Sequence, residues 1–158
     1  MASGVTGGNK LMATLAHIAD VTGSAHVRVG FLEGATAPDG TPEAQIAFWN
    51  EFGKDGSEGT PKQPPRPFFR NMIAEVTPQV GEWTDKALDA TDLDVEKALA
   101  LMGEKLSDEL VTSIQKLREP ALSPVTIEKK GFDKPLIEHG DMQRSVGYEV
   151  VKGSATAE

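Results

Sequence analysis

The sequence predicts an α+β fold in which a small, mainly antiparallel sheet packs against one long helix and several shorter ones. Apolar and polar residues alternate at 26–32 and again at 146–150, as they do in half-buried strands. Between these strands, residues 93–119 carry apolar side chains at helical spacing. Strands that enclose helices favour an α+β arrangement, and 158 residues, 39% of them hydrophobic, suffice for a single domain spanning 1–158.

A short helix and a strand are predicted first along the chain. Residues 1–9 are rich in glycine, serine and threonine and are expected to be flexible. Leu11, Leu15 and Ile18 stand at helical spacing and predict a short amphipathic helix that ends near Gly23. The alternation at 26–32 then predicts the first strand, in which Gly30 is expected to permit a close approach of a bulky neighbour or a bulge.

Two loops and two helices are predicted next. Composition predicts loops at 34–41 and 54–63, the second of which leads into an extended proline-rich stretch. Between the loops, Thr-Pro-Glu at 41–43 is a typical helix start, and Gly53 is expected to end that helix. A second helix is expected after Pro67. Its predicted apolar stripe is Phe69, Met72, Ile73 and Val76.

The second half of the chain is dominated by one long helix. Thr77-Pro78 is expected to kink the chain before further helical residues. The stretch 93–119 would then extend about 40 Å at 1.5 Å per residue. Its predicted stripe is Leu99, Met102, Leu106, Leu110, Ile114 and Leu117. The elements predicted after it are a strand at 124–129, a helical turn at 141–145, a last strand at 146–150 and a flexible polar tail at 152–158.

Charge and cysteine content argue against several classes of protein. The chain carries 16 Lys and Arg against 24 Asp and Glu, a formal net charge of −8, whereas wrapping nucleic acid or lying on an anionic membrane needs a basic face. Zero cysteines exclude disulfides, thiolate metal sites and a cysteine nucleophile. Neither a secretory signal nor an apolar run of about 20 residues is recognisable in the sequence. We therefore expect assembly in the cytoplasm and no membrane partner.

One cluster has the composition of a catalytic or metal site. Glu138, His139 and Asp141 place a histidine among carboxylates, and a small metal-dependent hydrolase built on them is one alternative function. The cluster brings no second histidine and no nucleophile, so we favour a polar loop that caps the following helical turn. The acidic run at 89–96 suits the start of a helix better than a calcium site. We expect no enzymatic activity, no metal and no cofactor.

The segment PPRPFFR at 64–70 favours contact with another protein surface. Prolines on both sides hold the chain extended around Arg66, whose planar guanidinium suits a carboxylate on a neighbouring subunit. Consecutive residues of a helix point about 100° apart, so one of the two phenylalanines can face outward. We expect at least one of Arg66, Phe68 and Arg70 to contact a neighbour. The alternative is a helix start in which both rings are buried.

Three segments together resemble a family of tailed-bacteriophage tail-completion and neck proteins that includes the minor tail protein Z-like proteins. The first segment is VRVGF at 27–31. The second is IAFWNEFG at 46–53 followed by PPRPFFRNMI at 64–73, and the third is KPLIEHGDMQRSVGYEV at 134–150. They stand in the family's order and at plausible separations. The sequence departs from the family pattern at His139, where the family usually has a small hydroxyl residue.

The resemblance implies a structural virion protein without catalytic activity. It implies a homo-oligomeric ring, of which a hexamer is one form, placed in the neck where the tail meets the head and assembled in the host cytoplasm. Its partners would be tail terminator or tail tube proteins, head connector proteins, and genomic DNA that passes through the lumen without sequence-specific binding. The expected subunit or partner contacts are Glu51, Phe52, Arg66, Phe68, Arg70 and Arg144. A further alternative is a soluble adaptor that binds one partner through PPRPFF.

Overall fold

The fold is α+β, as predicted. The computed structural model describes residues 9–10, 12–13, 15–16, 25–31, 33–56, 62–117 and 141–152. Its elements in chain order are β1 (His26–Phe31), α1 (Glu43–Phe52), α2 (Phe68–Val76), a 3₁₀ turn (Thr77–Gln79), α3 (Val80–Ala90), α4 (Val95–Lys116), α5 (Asp141–Arg144) and β2 (Val146–Val151). The described residues between 9 and 16 are helical, which agrees with the predicted first helix.

The two strands pair antiparallel, so the first and last strands among the described residues are neighbours. Val29 lies opposite Tyr148, and Gly30 lies opposite Gly147. The sheet packs against α4, where Gly103 faces the ring of Tyr148 so closely that an added Cβ would overlap the ring. The close approach predicted at Gly30 is wrong, because a Cβ there would meet no described atom within 4 Å.

Two apolar clusters lie along α4. The larger cluster surrounds the C-terminal half of the helix, and the smaller one lies between α3 and the N-terminal half. The buried members of the larger cluster are Ala47, Phe68, Met72, Val76, Leu110, Ile114 and Met142, and those of the smaller one are Ala87, Ala98 and Met102. At 1.5 Å per residue the 22 residues of α4 span about 33 Å, so this helix contributes to both clusters, which Val80 and Trp83 also connect.

The long helix is shorter than predicted. It begins at Val95 because Asp92 and Leu93 have positive φ angles of 51° and 65°, which interrupt the helix. Asp94 is the N-cap, and its carboxylate accepts a hydrogen bond from the backbone N–H of Lys97 at 3.1 Å. The prediction of acidic residues at the start of this helix is therefore correct, although the helix begins two residues later than predicted.

The apolar stripe of α2 also differs from the prediction. The helix buries Phe68, Met72 and Val76, whereas Ile73 is 47% exposed. The preceding helix, α1, starts with Pro42 at the cap position, and Thr41 forms no side-chain cap there.

Within the described ranges, no helix combines the length and the apolar character that crossing a bilayer requires. The strand predicted at 124–129 lies outside the described residues.

Candidate functional site

The segments NEFG and PPRPFFR form one bonded unit, which we call the joint. The carboxylate of Glu51, at the end of α1, accepts hydrogen bonds from the backbone N–H groups of Phe69 at 2.9 Å and of Arg70 at 3.3 Å. N–H groups in the first turn of a helix have no partner within that helix, and the helix dipole favours an anion there. Glu51 therefore caps the helix that the second segment begins.

Arg70 completes the joint from the other side. Its Nε donates to Oε1 of Glu51 at 2.7 Å, and its Nη2 donates to the backbone carbonyl of Glu51 at 3.0 Å. The Glu51 side chain is buried, whereas that of Arg70 is more than half exposed. A buried carboxylate is tolerated only with hydrogen bonds and an opposite charge, and Arg70 supplies both. Two residues predicted to contact another subunit thus bind each other within one chain.

The remaining residues of the joint hold the proline-rich stretch against the end of α1. The Asn50 carbonyl accepts from the backbone N–H of Arg66 at 2.6 Å, and its Oδ1 accepts from Nε2 of Gln63 at 2.8 Å. Lys54 and Gln63 exchange both backbone hydrogen bonds, at 3.0 and 2.9 Å. Gly53 has a φ of 83°, and a Cβ there would lie 2.8 Å from the Gln63 carbonyl oxygen. Only glycine suits this position.

Arg66 and Phe68, two of the residues predicted to contact a neighbour, are buried within the chain. Arg66 is 6% exposed, and burial lowers the pKa of its guanidinium. Phe68 is 1% exposed; its ring centroid lies 6.0 Å from that of Phe31 in an edge-on arrangement, and its carbonyl accepts from Oγ of Ser113 at 2.6 Å. The alternative prediction, a helix start with buried rings, describes Phe68 correctly. The hydrogen bond from the backbone N–H of Arg66 to the carbonyl of Asn50 holds the proline-rich stretch against α1. The prolines alone do not predict this contact.

Phe52 is the residue of NEFG whose side chain faces solvent. Phe48 and Phe52 are each 56% exposed, and their ring centroids stand 4.9 Å apart. The guanidinium carbon of Arg70 lies 5.2 Å from the centroid of the Phe52 ring, within the range of a cation–π contact. Ile73 is one helical turn beyond Arg70 and is also exposed. We call Phe48, Phe52, Arg70 and Ile73 the aromatic face.

A second exposed surface lies at the turn between α3 and α4. The backbone N–H of Leu93 donates to the carbonyl of Leu88 at 2.8 Å, and that of Asp92 donates to the carbonyl of Asp89 at 3.4 Å. This pattern is a Schellman motif with a left-handed residue, usually glycine, after the helix. Leu93 is 44% exposed beside these acidic residues. We call Asp85, Asp89, Asp92 and Leu93 the acidic corner; Asp89 and Asp92 belong to the acidic run predicted at the start of the long helix.

The third segment of the resemblance is described only in part. Glu138 and His139, on which the hydrolase alternative depends, lie outside the described residues, as does the side chain of Asp141. Within the described part of the chain, no group of three or more histidine, aspartate or glutamate residues could hold a metal ion. Met142 belongs to the larger apolar cluster, and Arg144 is exposed at the end of α5.

Exposed rings and a guanidinium at one place, and carboxylates with an exposed leucine at another, suit contact with other surfaces. Aromatic residues and arginine supply much of the energy of protein interfaces. Exposed apolar patches rimmed by polar groups mark such interfaces. Comparison with protein-family models, with curated proteins and with solved structures found no match.

Proposed function

We propose that this chain is a structural protein of a tailed-bacteriophage virion. It is a tail-completion or neck component that forms a ring at the head–tail junction, where it joins the tail to the head around a DNA channel. The proposal starts from the resemblance of the three segments given above. It assigns the chain no catalytic role and places it in the virion after assembly in the host cytoplasm.

The joint is the observation that carries this proposal. The two most specific segments of the resemblance, NEFG and PPRPFFR, are separated in sequence and yet bonded to each other through Glu51 and Arg70. In the joint, Asn50 binds Gln63, Glu51 caps the second helix, and Gly53 adopts a conformation that suits only glycine. These different requirements explain why the three residue types occur together. It leaves Phe52 exposed for contact with another subunit.

The charge of the chain is compatible with a channel for DNA. A net charge of −8 makes a ring of many copies strongly negative. A lumen of the same sign as DNA attracts no phosphate groups, so the duplex can pass without adhering. The ring would meet tail terminator or tail tube proteins on one side and head connector proteins on the other.

Disruption of the gene in a phage that encodes this chain tests the proposal. We expect lysates that contain filled heads and separate tails by electron microscopy, because the junction cannot form. Supply of the wild-type chain from a plasmid should restore joined particles, and imaging of their necks should show the ring. Joined, infectious particles that lack the protein would rule out the proposed role.

The aromatic face provides a sharper version of this test. The variant Phe48→Gln/Phe52→Gln should fold, because both rings are exposed. A plasmid that supplies this variant should nevertheless leave heads and tails separate. Leu101→Gln is a matched control, since Leu101 is a comparably exposed apolar residue outside the two surfaces. Full restoration by the aromatic variant would show that junction assembly does not use this face.

A further inference from the structure

We propose that the aromatic face of one copy binds the acidic corner of a second copy, so that chains associate head to tail. The proposal deepens the ring function, on which it rests for its biological setting, by naming the two surfaces that meet. The occupant of each surface is therefore another copy of the same chain. Three features of the structure lead to this pairing.

The first feature is the separation of the two surfaces. The aromatic face is built on α1 and α2, and α2 packs against the C-terminal half of α4 through Phe68, Leu110 and Ile114. The acidic corner directly precedes Val95 at the other end of α4. Leu93 marks the acidic corner, and Ile114 marks the part of α4 that packs against α2. These two residues are about 30 Å apart at 1.5 Å per residue, so the aromatic face and the acidic corner of one chain cannot meet each other. Two different complementary surfaces on one subunit produce head-to-tail contacts, which close into a ring when the rotation permits.

The second feature is the separation of charge. Residues 75–109 contain ten acidic residues and three lysines, a net charge of −7 out of the −8 of the whole chain. Lys86 pairs with Glu82, and Lys97 pairs with Asp94. Among the described residues, no ion pair involves the three carboxylates of the acidic corner.

The aromatic face has the opposite character. The Glu51 carboxylate is buried beneath it, and the cation beside the Phe52 ring is its partner Arg70, whose side chain is more than half exposed. Arg70 uses Nε and Nη2 within its own chain, and a guanidinium has five N–H donors in total. Opposite charges favour contact between the face and the corner, and repulsion disfavours contact between two acidic corners.

The third feature is Leu93 itself. A left-handed conformation is unfavourable for a residue with a Cβ by about 1–2 kcal/mol, and glycine or asparagine would adopt it more readily. An apolar residue frequently follows the left-handed position of a Schellman motif to contact the preceding helix, yet Leu93 keeps 44% of its surface exposed. An exposed apolar side chain next to Asp92 in the same turn fits between the rings and the guanidinium of the aromatic face. The chain thus carries an apolar anchor with a charged rim on each surface.

A mixing experiment with two variants of the full chain tests the pairing. Phe48→Gln/Phe52→Gln removes the aromatic face, and Leu93→Asn removes the apolar anchor of the acidic corner with a residue that suits the left-handed turn. In sedimentation velocity over a range of concentrations, we expect the wild type to self-associate and each variant alone to do so at least tenfold more weakly. An equimolar mixture should form 1:1 dimers and nothing larger, because each variant keeps one intact surface. Leu101→Gln should associate like the wild type.

Several outcomes would overturn the pairing. They are a monomeric wild type up to millimolar concentration, a mixture that stays monomeric, and weakened association in the Leu101→Gln control to the same extent. Loss of association in the aromatic variant alone would mean that two aromatic faces meet each other instead. If the wild type associates and neither variant weakens it, the ring proposal stands and the pairing is wrong. If the mixture dimerises but gene disruption leaves joined phage particles, the pairing stands and the proposed function is wrong.

Discussion

Replacement of Gly103 by alanine is expected to destabilise the chain, because the new methyl group has no room. Gly103 lies within α4 and faces Tyr148 of β2. A Cβ built on Gly103 would overlap the Cδ2 atom of the tyrosine ring, and it would lie 2.5 Å from Cγ and 3.0 Å from Cβ of Tyr148. Rotation of the ring about the Cβ–Cγ bond moves Cδ2 but leaves Cγ and Cβ in place, so it cannot remove the overlap.

The size of the effect follows from two opposing contributions. Alanine is more favourable than glycine inside a helix by about 1 kcal/mol. Carbon atoms in contact normally stand about 3.5–4.0 Å apart, so α4 or β2 must shift by roughly 1 Å. Overpacking of this kind costs about 1–3 kcal/mol and occasionally more. Since the overlap involves atoms next to the backbone, we take the upper end of that range and expect a net loss of about 2 kcal/mol in the free energy of unfolding.

Gly81→Ala is the matched control for this prediction. Gly81 lies in α3, and a Cβ there would meet no described atom within 4 Å. The same substitution should therefore stabilise the chain by up to about 1 kcal/mol. Urea denaturation of both variants and the wild type gives the two differences, provided that the m values agree. Equal stabilisation by the two substitutions would refute the close approach of α4 to the sheet.

Three further predictions concern the joint, the acidic corner and the N-cap of α4. Glu51→Gln should lower the free energy of unfolding by about 1–3 kcal/mol in urea denaturation, because Arg70 loses its charged partner; an unchanged value would mean that Glu51 does not hold the joint. Leu93→Asn should leave the free energy of unfolding within about 1 kcal/mol of the wild type, because relief of the left-handed conformation offsets lost apolar burial. Side-chain and backbone hydrogen bonds with Lys97 lower the pKa of Asp94 in the folded chain. The ionised carboxylate therefore stabilises the fold at pH values above the unfolded pKa of about 3.9. This stabilisation is lost as the pH falls through the folded pKa. Asp94→Asn should therefore lower the thermal midpoint at pH 6 and have progressively less effect below about pH 4; an effect that is constant with pH would contradict this reasoning.

The order of helices and the two paired strands were predictable because their signals are local. Periodicity over ten or twenty residues identifies a helix or a strand wherever its partner lies. The face that a helix buries depends on distant residues, and this is why the stripe of α2 was wrong at Ile73 and missed Phe68. The larger cluster that covers Phe68 includes residues of α4 more than forty positions away.

The candidate site was predicted only in part, for the same reason. Phe52 and Arg70 are exposed as an interaction surface requires, whereas Arg66 is folded inward by its hydrogen bond to Asn50. Gly103 was overlooked although the sequence contained a signal. A glycine inside a helical stretch is unfavourable by about 1 kcal/mol relative to alanine, and this cost is explained at Gly103 by the close approach of another element, although not at Gly81.

The joint makes the aromatic face a property of the folded chain alone. Its phenylalanines belong to α1 and its arginine to α2, and the proline-rich stretch separates them in sequence. They lie side by side where Glu51 caps the second helix. A nascent or partly unfolded copy therefore lacks the surface that we propose other copies bind. Growth of an assembly through this face would reject defective subunits at the moment of docking, which amounts to quality control without a chaperone.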